Sequence, residues 1–352
     1  MRDPQIVIRV PGEPTRLPSV RENPIRGLGF DRDQVVLLRK RSISRLAGTK
    51  EELVFSVTSG DLQHLCVGQG RLFVWHRDAQ DKRLLSMRSD GSETVSLAQE
   101  PEESIALGKL CVGSASLFWT CLIRGDLDDV TCLMRTAVSG SRTEMLASAD
   151  GARRRRTAFT VYADEVYWAF TGGGQRHIQM SEVVDAGLRP IKEHMLAGSS
   201  PAIAHFCSRD VEPQIIPMRS EIEVLTTDGR SLFHDGSEPT ADGSRVVLQR
   251  TPVDGGEPTR LTDEDAFAAQ QMVVVGNDLI WTRNRTSNGE GEQPAVLLRT
   301  PAKGGPTEIL SRAVGTIAHL TSSRREILWV DVETGDTMMD VRSATVCRLP
   351  LH

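Results

Sequence analysis

The 352-residue sequence is poor in aromatics, with five Trp, two Tyr and nine Phe, 5% of the chain. Its uninterrupted apolar runs are a few residues long, far short of the roughly 20 that cross a bilayer as a helix, so no membrane span is expected. The opening "MRDPQIVIRVPGEP" lacks the apolar stretch and small-residue cleavage site of a secretory signal, and the expected address is the cytoplasm. Six cysteines, at 66, 111, 121, 132, 207 and 347, show no CxxC spacing and predict reduced thiols. A net charge of -5 provides no basic field for generic attachment to nucleic acid or anionic lipid. P-loop, G-x-S-x-G and H-E-x-x-H strings are missing. "FTGGGQRH" has neither the setting nor the spacing of a dinucleotide fingerprint. No catalytic residue and no cofactor is therefore assigned.

What is there is a repeat. "GRLFVW" with Trp75, "ASLFWT" with Trp119, "DEVYWA" with Trp168, "GRSLFH" with Phe233, "NDLIWT" with Trp281 and "REILWV" with Trp329 follow one another at intervals of 44, 49, 65, 48 and 48 residues. A weaker copy, "DQVVLL", ends at Leu38. The long interval predicts an insertion at residues 207–220. Most anchors are followed by an apolar run, an Arg, a Gly-containing turn and a second apolar run, as in "VVLQRTPVDGGEPTRLT" and "VLLRTPAKGGPTEIL", which is a hairpin signal. Each unit thus offers about four short strands, and about 40 to 50 residues per four-stranded sheet is the arithmetic of a β-propeller blade.

The expected fold is all-β: a single β-propeller domain over 1–352, with seven four-stranded blades and six as the alternative, because residues 28–63 match the repeat poorly. Residues 1–20 are expected to supply closing strands that pair with the strand phrase "SATVCRLPLH" at the other end and hide an open sheet edge. One large aromatic per blade reads as a wedge between sheets, so Trp168 belongs to the framework.

"VYWAF", "LFWTC", "LIWTR" and "ILWVD" resemble degenerate copies of the Tyr-Trp-Thr-Asp signature of YWTD propellers, and the Asp-Gly-Gly hairpins resemble those of bacterial TolB-like propeller repeats. The resemblance covers roughly residues 64–352. It implies a platform for protein or small ligands in a fold whose relatives also include hydrolases and lactonases. The terminal Asp of the signature is mostly missing here, so no ligand residues carry over.

Function is expected on the variable loops between second and third strands, since recognition is placed on loops of a rigid scaffold. Arg153, Arg154, Arg155 and Arg156, expected by the topology on the same face beside the loop that holds Asp126, Asp128 and Asp129, are the candidate partner-binding residues, because Arg forks bind acidic groups bidentately. The plainer reading of this run is a solvated loop. His64, His205 and His319 recur in "DLQHLC", "AIAHFC" and "TIAHLT", at what reads as the start of each innermost strand. They are weak metal candidates, set against a plainer reading as polar channel lining. Arg88, Arg135, Arg250, Arg299 and Arg348 recur once per unit and predict structural salt bridges. Cys66 and Cys111, both in "LCVG", read as small apolar filler, and Cys121 and Cys132 as possible partners across a hairpin. The leading expectation is a monomeric, non-enzymatic scaffold that binds a protein or peptide. The alternative is a metal-dependent hydrolase or lactonase-like enzyme.

Overall fold

The computed structural model describes residues 25–350, apart from 48–49, 80–81, 101–103, 125–129, 141–142, 151–157, 172–200, 208–212, 241–242, 264–265, 267–268, 285, 289–290, 324–325 and 335–340. No described residue is helical. The strands form consecutive antiparallel sheets, each a blade.

Blade 1 contains β1 (Gly27–Asp31), β2 (Gln34–Leu38), β3 (Ser42–Ala47) and β4 (Lys50–Ser56). Blade 2 contains β5 (Asp61–Gly68), β6 (Arg71–Arg77), β7 (Lys82–Arg88) and β8 (Val95–Gln99). Blade 3 contains β9 (Ser104–Val112), β10 (Ser116–Ile123), β11 (Val130–Ala137) and β12 (Thr143–Asp150). Blade 4 contains β13 (Phe159–Tyr162), β14 (Glu165–Thr171), β15 (Pro201–Phe206) and β16 (Gln214–Pro217). Blade 5 contains β17 (Leu225–Thr227), β18 (Ser231–Thr240), β19 (Gly243–Pro252) and β20 (Thr259–Arg260). Blade 6 contains β21 (Ala269–Val275), β22 (Asp278–Arg283), β25 (Val296–Pro301) and β26 (Glu308–Arg312), with the hairpin β23 (Thr286–Asn288) and β24 (Gly291–Gln293) between its second and third strands. Blade 7 contains β27 (Thr316–Ser322), β28 (Glu326–Thr334) and β29 (Val341–Pro350), three strands among the described residues.

This is a seven-bladed propeller. The poorly matching stretch after residue 28 is blade 1, and its weak anchor Leu38 lies on the second strand like all the others. Residues 214–217, inside the stretch expected as an insertion, form β16, the outer strand of blade 4, while residues 172–200 separate β14 from β15. The expected closing segment, residues 1–20, lies outside the described residues.

Second strands read as unbroken apolar strings because both faces of the sheet are covered. On β6, Leu72, Phe73, Val74 and Trp75 are all buried, and on β14 so are Val166, Tyr167, Trp168, Ala169 and Phe170. Every aromatic anchor is buried, and burying such a ring contributes on the order of 2 to 3 kcal/mol. Outer strands differ. On β4 no residue is buried, and Leu53 is exposed.

The chain divides into two compact units, residues 64–259 and residues 1–63 with 260–352. In the first, one core cluster joins Trp75 and Phe73 of blade 2 to Trp119, Cys121, Cys132 and Met134 of blade 3, with the two indoles edge to face at 5.6 Å. The next joins Phe118 and Leu133 to Trp168 and Phe170 of blade 4, and a third joins Tyr167 and Ile203 to Leu225 and Leu232 of blade 5. In the other unit, Ile280 and Leu297 of blade 6 pack on Trp329 and Cys347 of blade 7, and Leu328 and Val346 pack on Ile25, Leu28 and Leu37 of blade 1.

Neighbouring blades are also latched turn to turn. Gln69 Nε2 donates to the carbonyls of Gly113 and Ser114, both at 2.6 Å. The Ser114 amide in turn donates to the Ala163 carbonyl at 2.8 Å, and Asp164 Oδ1 accepts from the Ala115 amide at 2.9 Å. Gly113 is required here, because a Cβ would run into the Ala163 carbonyl.

Candidate functional site

Within each blade the antiparallel order puts the loop between strands two and three at the end opposite the short turns. Among the described residues, three blades build this end out as paired ribbon. In blade 5, β18 and β19 stay in register to Thr240 opposite Gly243, although the neighbouring β17 pairs only with Leu232, Phe233 and His234. The outer half of β18 is correspondingly open, with Ser237, Pro239 and Thr240 exposed. In blade 6 the hairpin β23–β24 stands at this end, with Asn288 opposite Gly291. In blade 7, β28 and β29 pair as far as Thr334 opposite Val341.

Ion pairs run from the end of the second strand toward the outer strand in two blades. Arg39 makes two bonds of 2.9 Å to the carboxylate of Glu51, and this bidentate pairing keeps the Glu51 carboxyl below the ordinary range. Arg77 Nε lies 2.9 Å from Oε2 of Glu100, whose side chain is fully buried. Four of the five arginines that recur on third strands form the expected ion pairs. Arg88 pairs with Glu93 and Arg135 with Glu144, each at 2.8 Å, Arg299 with Asp278 at 2.9 Å, and Arg348 with Glu326.

The three candidate histidines fall in different settings. His64 on β5 and His319 on β27 do occupy innermost strands, and both adopt left-handed backbone with φ of 54° and 55°, uncommon for a residue with a side chain. The strand at His319 bulges between Ala318 and Thr321. Blade 6 stitches that bulge, Gln271 Oε1 accepting from the Leu320 amide and Asn284 Oδ1 from the Ile317 amide at 3.1 Å. Burial, then the charge of Arg77, lowers the His64 imidazole below its ordinary range.

His205 corrects the expectation: it sits on β15, the third strand of blade 4, not on an innermost strand. "AIAHFC" has the same apolar pattern as the inner-strand strings, and pattern alone does not distinguish the two strands. Its ring stacks on Tyr167, the residue directly opposite on β14, with centroids 4.4 Å apart and planes 14° from parallel. Nε2 lies 3.4 Å from Glu165 Oε2, which also accepts the Tyr167 hydroxyl at 2.9 Å. Nδ1 lies 3.4 Å from Gln214 Oε1, and Gln214 Nε2 donates at 3.0 Å to the Asp254 carbonyl of blade 5. Burial, then the bond to Glu165, raises the Tyr167 phenol above its ordinary range. The surroundings tie His205 into the junction of blades 4 and 5. Only the pairing with Tyr167 could have been found from sequence, by aligning strand registers.

Among the described residues no group of three or more His, Cys, Asp and Glu is placed to hold a metal ion. No helix among them is long and apolar enough to cross a membrane. Arg153 to Arg156, and Asp126, Asp128 and Asp129, lie outside the described residues.

No family model matches the sequence, and no curated protein matches it significantly. Solved structures do. An oligogalacturonate lyase in complex with manganese superposes with a TM-score of 0.63 at 11% identity, over 99% of this chain and 96% of that one. The β-propeller domain of the Trilobed protease from Pyrococcus furiosus gives 0.58 at 10% identity, over 92% and 94%. An oligogalacturonate lyase from Vibrio parahaemolyticus gives 0.58 at 11%, over 98% and 96%. At such identities the likeness shows the fold alone, that of a seven-bladed β-propeller.

Proposed function

We propose that this protein is a recognition scaffold that binds a protein or peptide partner through the ends of its blades where second strands turn into third. The observation that carries this reading is the extension of β18–β19 beyond its own sheet, ten residues on each strand against three on β17 and two on β20. Past Ser237, whose amide donates to Ser220 Oγ at 2.8 Å, the projecting ribbon offers an edge to which a partner segment can add as a further strand. The anchors, latches and recurring ion pairs supply the rigid base that keeps such a ribbon in place, and Arg153 to Arg156 are the residues proposed to engage acidic groups of the partner.

Affinity capture with the intact protein, with the ribbon shortened by deleting residues 238–243, and with all four arginines replaced by Ala tests the proposal. The expected result is a specific partner that binds the intact protein and is lost or weakened at least tenfold in one of the variants. Equal binding by all three overturns it. The competing reading, a metal-dependent hydrolase or lactonase-like enzyme, rests on fold analogy with proteins such as the manganese-containing lyase. A full equivalent of divalent metal in the purified protein would favour that reading instead.

A further inference from the structure

The two edges of the blade 5 ribbon are not alike. In an antiparallel ladder bonded and non-bonded pairs alternate, so every second residue of a strand turns its amide and carbonyl to the same side. On β18 the Asp235 amide donates to the Val224 carbonyl at 3.4 Å and the Ser237 amide to Ser220 Oγ at 2.8 Å, which sets the odd-numbered amides of this strand toward the β17 side. The next residue on that side is Pro239, which has no amide hydrogen. A proline on an exposed edge guards it against strand addition. The β18 edge therefore has its donors engaged at 235 and 237 and lacks one at 239.

The β19 edge has no such guard. Gly236 stands opposite Val247 and Glu238 opposite Arg245, so these pairs exchange the ladder bonds, and Ser244 and Val246 turn their amides and carbonyls outward, to the side of β20. That neighbour is only Thr259 and Arg260, joined by the six residues that follow Pro252 to the end of β19 away from the ribbon tip. No backbone bond among the described residues reaches the outward amides of Ser244 or Val246. Ser244 is exposed, and the half-buried Val246 shares its face with the buried Leu248. Arg245, half-buried on the other face, forms no ion pair among the described residues.

We propose that the β19 edge at Ser244 and Val246 is where a protein partner docks, as an extended segment that carries an acidic residue beside a β-branched or aromatic one. This rests on the reading of the protein as a recognition scaffold. The segment adds alongside β19 and takes main-chain bonds from Ser244 and Val246. Residues directly opposite share a face, and successive residues of an extended segment point to opposite faces. The acid therefore meets the Arg245 guanidinium while its apolar neighbour lies against Val246 and extends the face of Leu248. Glu238, opposite Arg245 on β18, completes a row of alternating charge, and a basic residue in the acid's place is repelled.

A displayed library of random twelve-residue peptides, selected against the full-length protein, is the probe. Enriched sequences are expected to set Asp or Glu next to Val, Ile, Thr, Phe or Tyr. The most enriched peptide, synthesised, is expected to bind the unaltered protein and to lose at least tenfold in affinity on Ser244→Pro, which removes one outward amide without touching the bonds to β18, and on Arg245→Glu. Pro239→Val, which gives the other edge a donor, is expected to leave the affinity unchanged. Peptides that bind but are indifferent to Ser244→Pro, or enrichment of basic sequences, overturn the β19 edge and leave the recognition scaffold standing; a selection that enriches nothing overturns both. Hydrogen exchange on the unaltered protein is a second measurement. The Arg245 and Val247 amides are expected to exchange slowly and those of Ser244 and Val246 fast, the latter slowing at least tenfold when the selected peptide is added at saturation. Slow exchange at Ser244 and Val246 without peptide overturns the proposal, since another part of the chain, or a second copy if the slowing grows with protein concentration, would then hold the edge.

Discussion

Cys121 and Cys132 stand directly opposite each other on β10 and β11, both buried and both free thiols. They face blade 2 in the cluster that holds Trp75 and Trp119. Hydrogen bonding with Cys132 and then burial hold the Cys121 thiol well above its ordinary range, and a buried thiol with little thiolate is inert. The pair is therefore expected to escape a disulfide-exchange reagent at pH 8 in the native protein and to react fully in denaturant. Burial likewise pushes Cys347 up to about 12. Counting released chromophore with time checks this, and rapid native reaction at both positions would show that blades 2 and 3 are not packed together as described.

The indole N–H groups separate otherwise equivalent anchors. Trp281 Nε1 donates to Thr300 Oγ1 at 3.0 Å, and that hydroxyl continues through Thr307 to Thr262 at 2.8 and 2.6 Å. The buried Nε1 atoms of Trp75, Trp119 and Trp168 have no such partner among the described residues. Trp281→Phe is expected to cost about 1 kcal/mol more than Trp75→Phe, the net worth of one hydrogen bond. Either residue changed to Ala is expected to cost about 3 to 5 kcal/mol. Denaturant unfolding of the four variants measures both differences.

The anchors were legible because a strand covered on both faces leaves a contiguous apolar string, and one such string recurs per blade. Leu38 was faint because blade 1 fills the same space with Val36, Leu37 and Leu38 instead of an indole. His205 was misplaced because "AIAHFC" sets its histidine among apolar residues just as "DLQHLC" and "TIAHLT" do, and because residues 172–200 lengthen the spacing within blade 4. The ribbon of blade 5 falls among the variable loops between second and third strands, since its pairing depends on a register that no local signal announces. Turn-to-turn latches were invisible for a similar reason: Gln69 meets Gly113 and Ser114 across 44 and 45 residues, and nothing in either turn names the other.

Those latches make a prediction of their own. Asp164→Ala removes the acceptor of the Ala115 amide while leaving the Ser114 to Ala163 bond, so it is expected to cost about 1 to 2 kcal/mol. Gly113→Ala forces the two turns apart and is expected to cost more, on the order of 2 to 4 kcal/mol. Because both changes act on one contact, their effects are expected to add to less than the sum, and a double-mutant cycle by urea unfolding checks this.

Acid is expected to weaken blade 5 through His234. The ring is buried, with Nδ1 2.7 Å from the Asp235 carbonyl and Nε2 3.0 Å from Thr251 Oγ1, so the neutral tautomer that donates from Nδ1 meets both partners. Burial lowers its pKa from 6.5 to about 4. Below pH 6.5 the unfolded chain takes up a proton that the native state refuses until about pH 4, so stability is full above 6.5 and falls as pH drops through that window. From this group alone the loss reaches about 3 kcal/mol, of which about 2 kcal/mol falls between pH 7.5 and 5. Asp235 acts with the opposite sign. Burial raises its carboxyl above the ordinary 3.8, so the native state binds that proton first and gains stability as pH falls, which offsets His234 mainly at the acid end of the window. Urea unfolding at pH 7.5 and 5 is therefore expected to show a loss about 2 kcal/mol larger for the unaltered protein than for His234→Gln. An equal loss in the two would mean that His234 is not held neutral between Asp235 and Thr251.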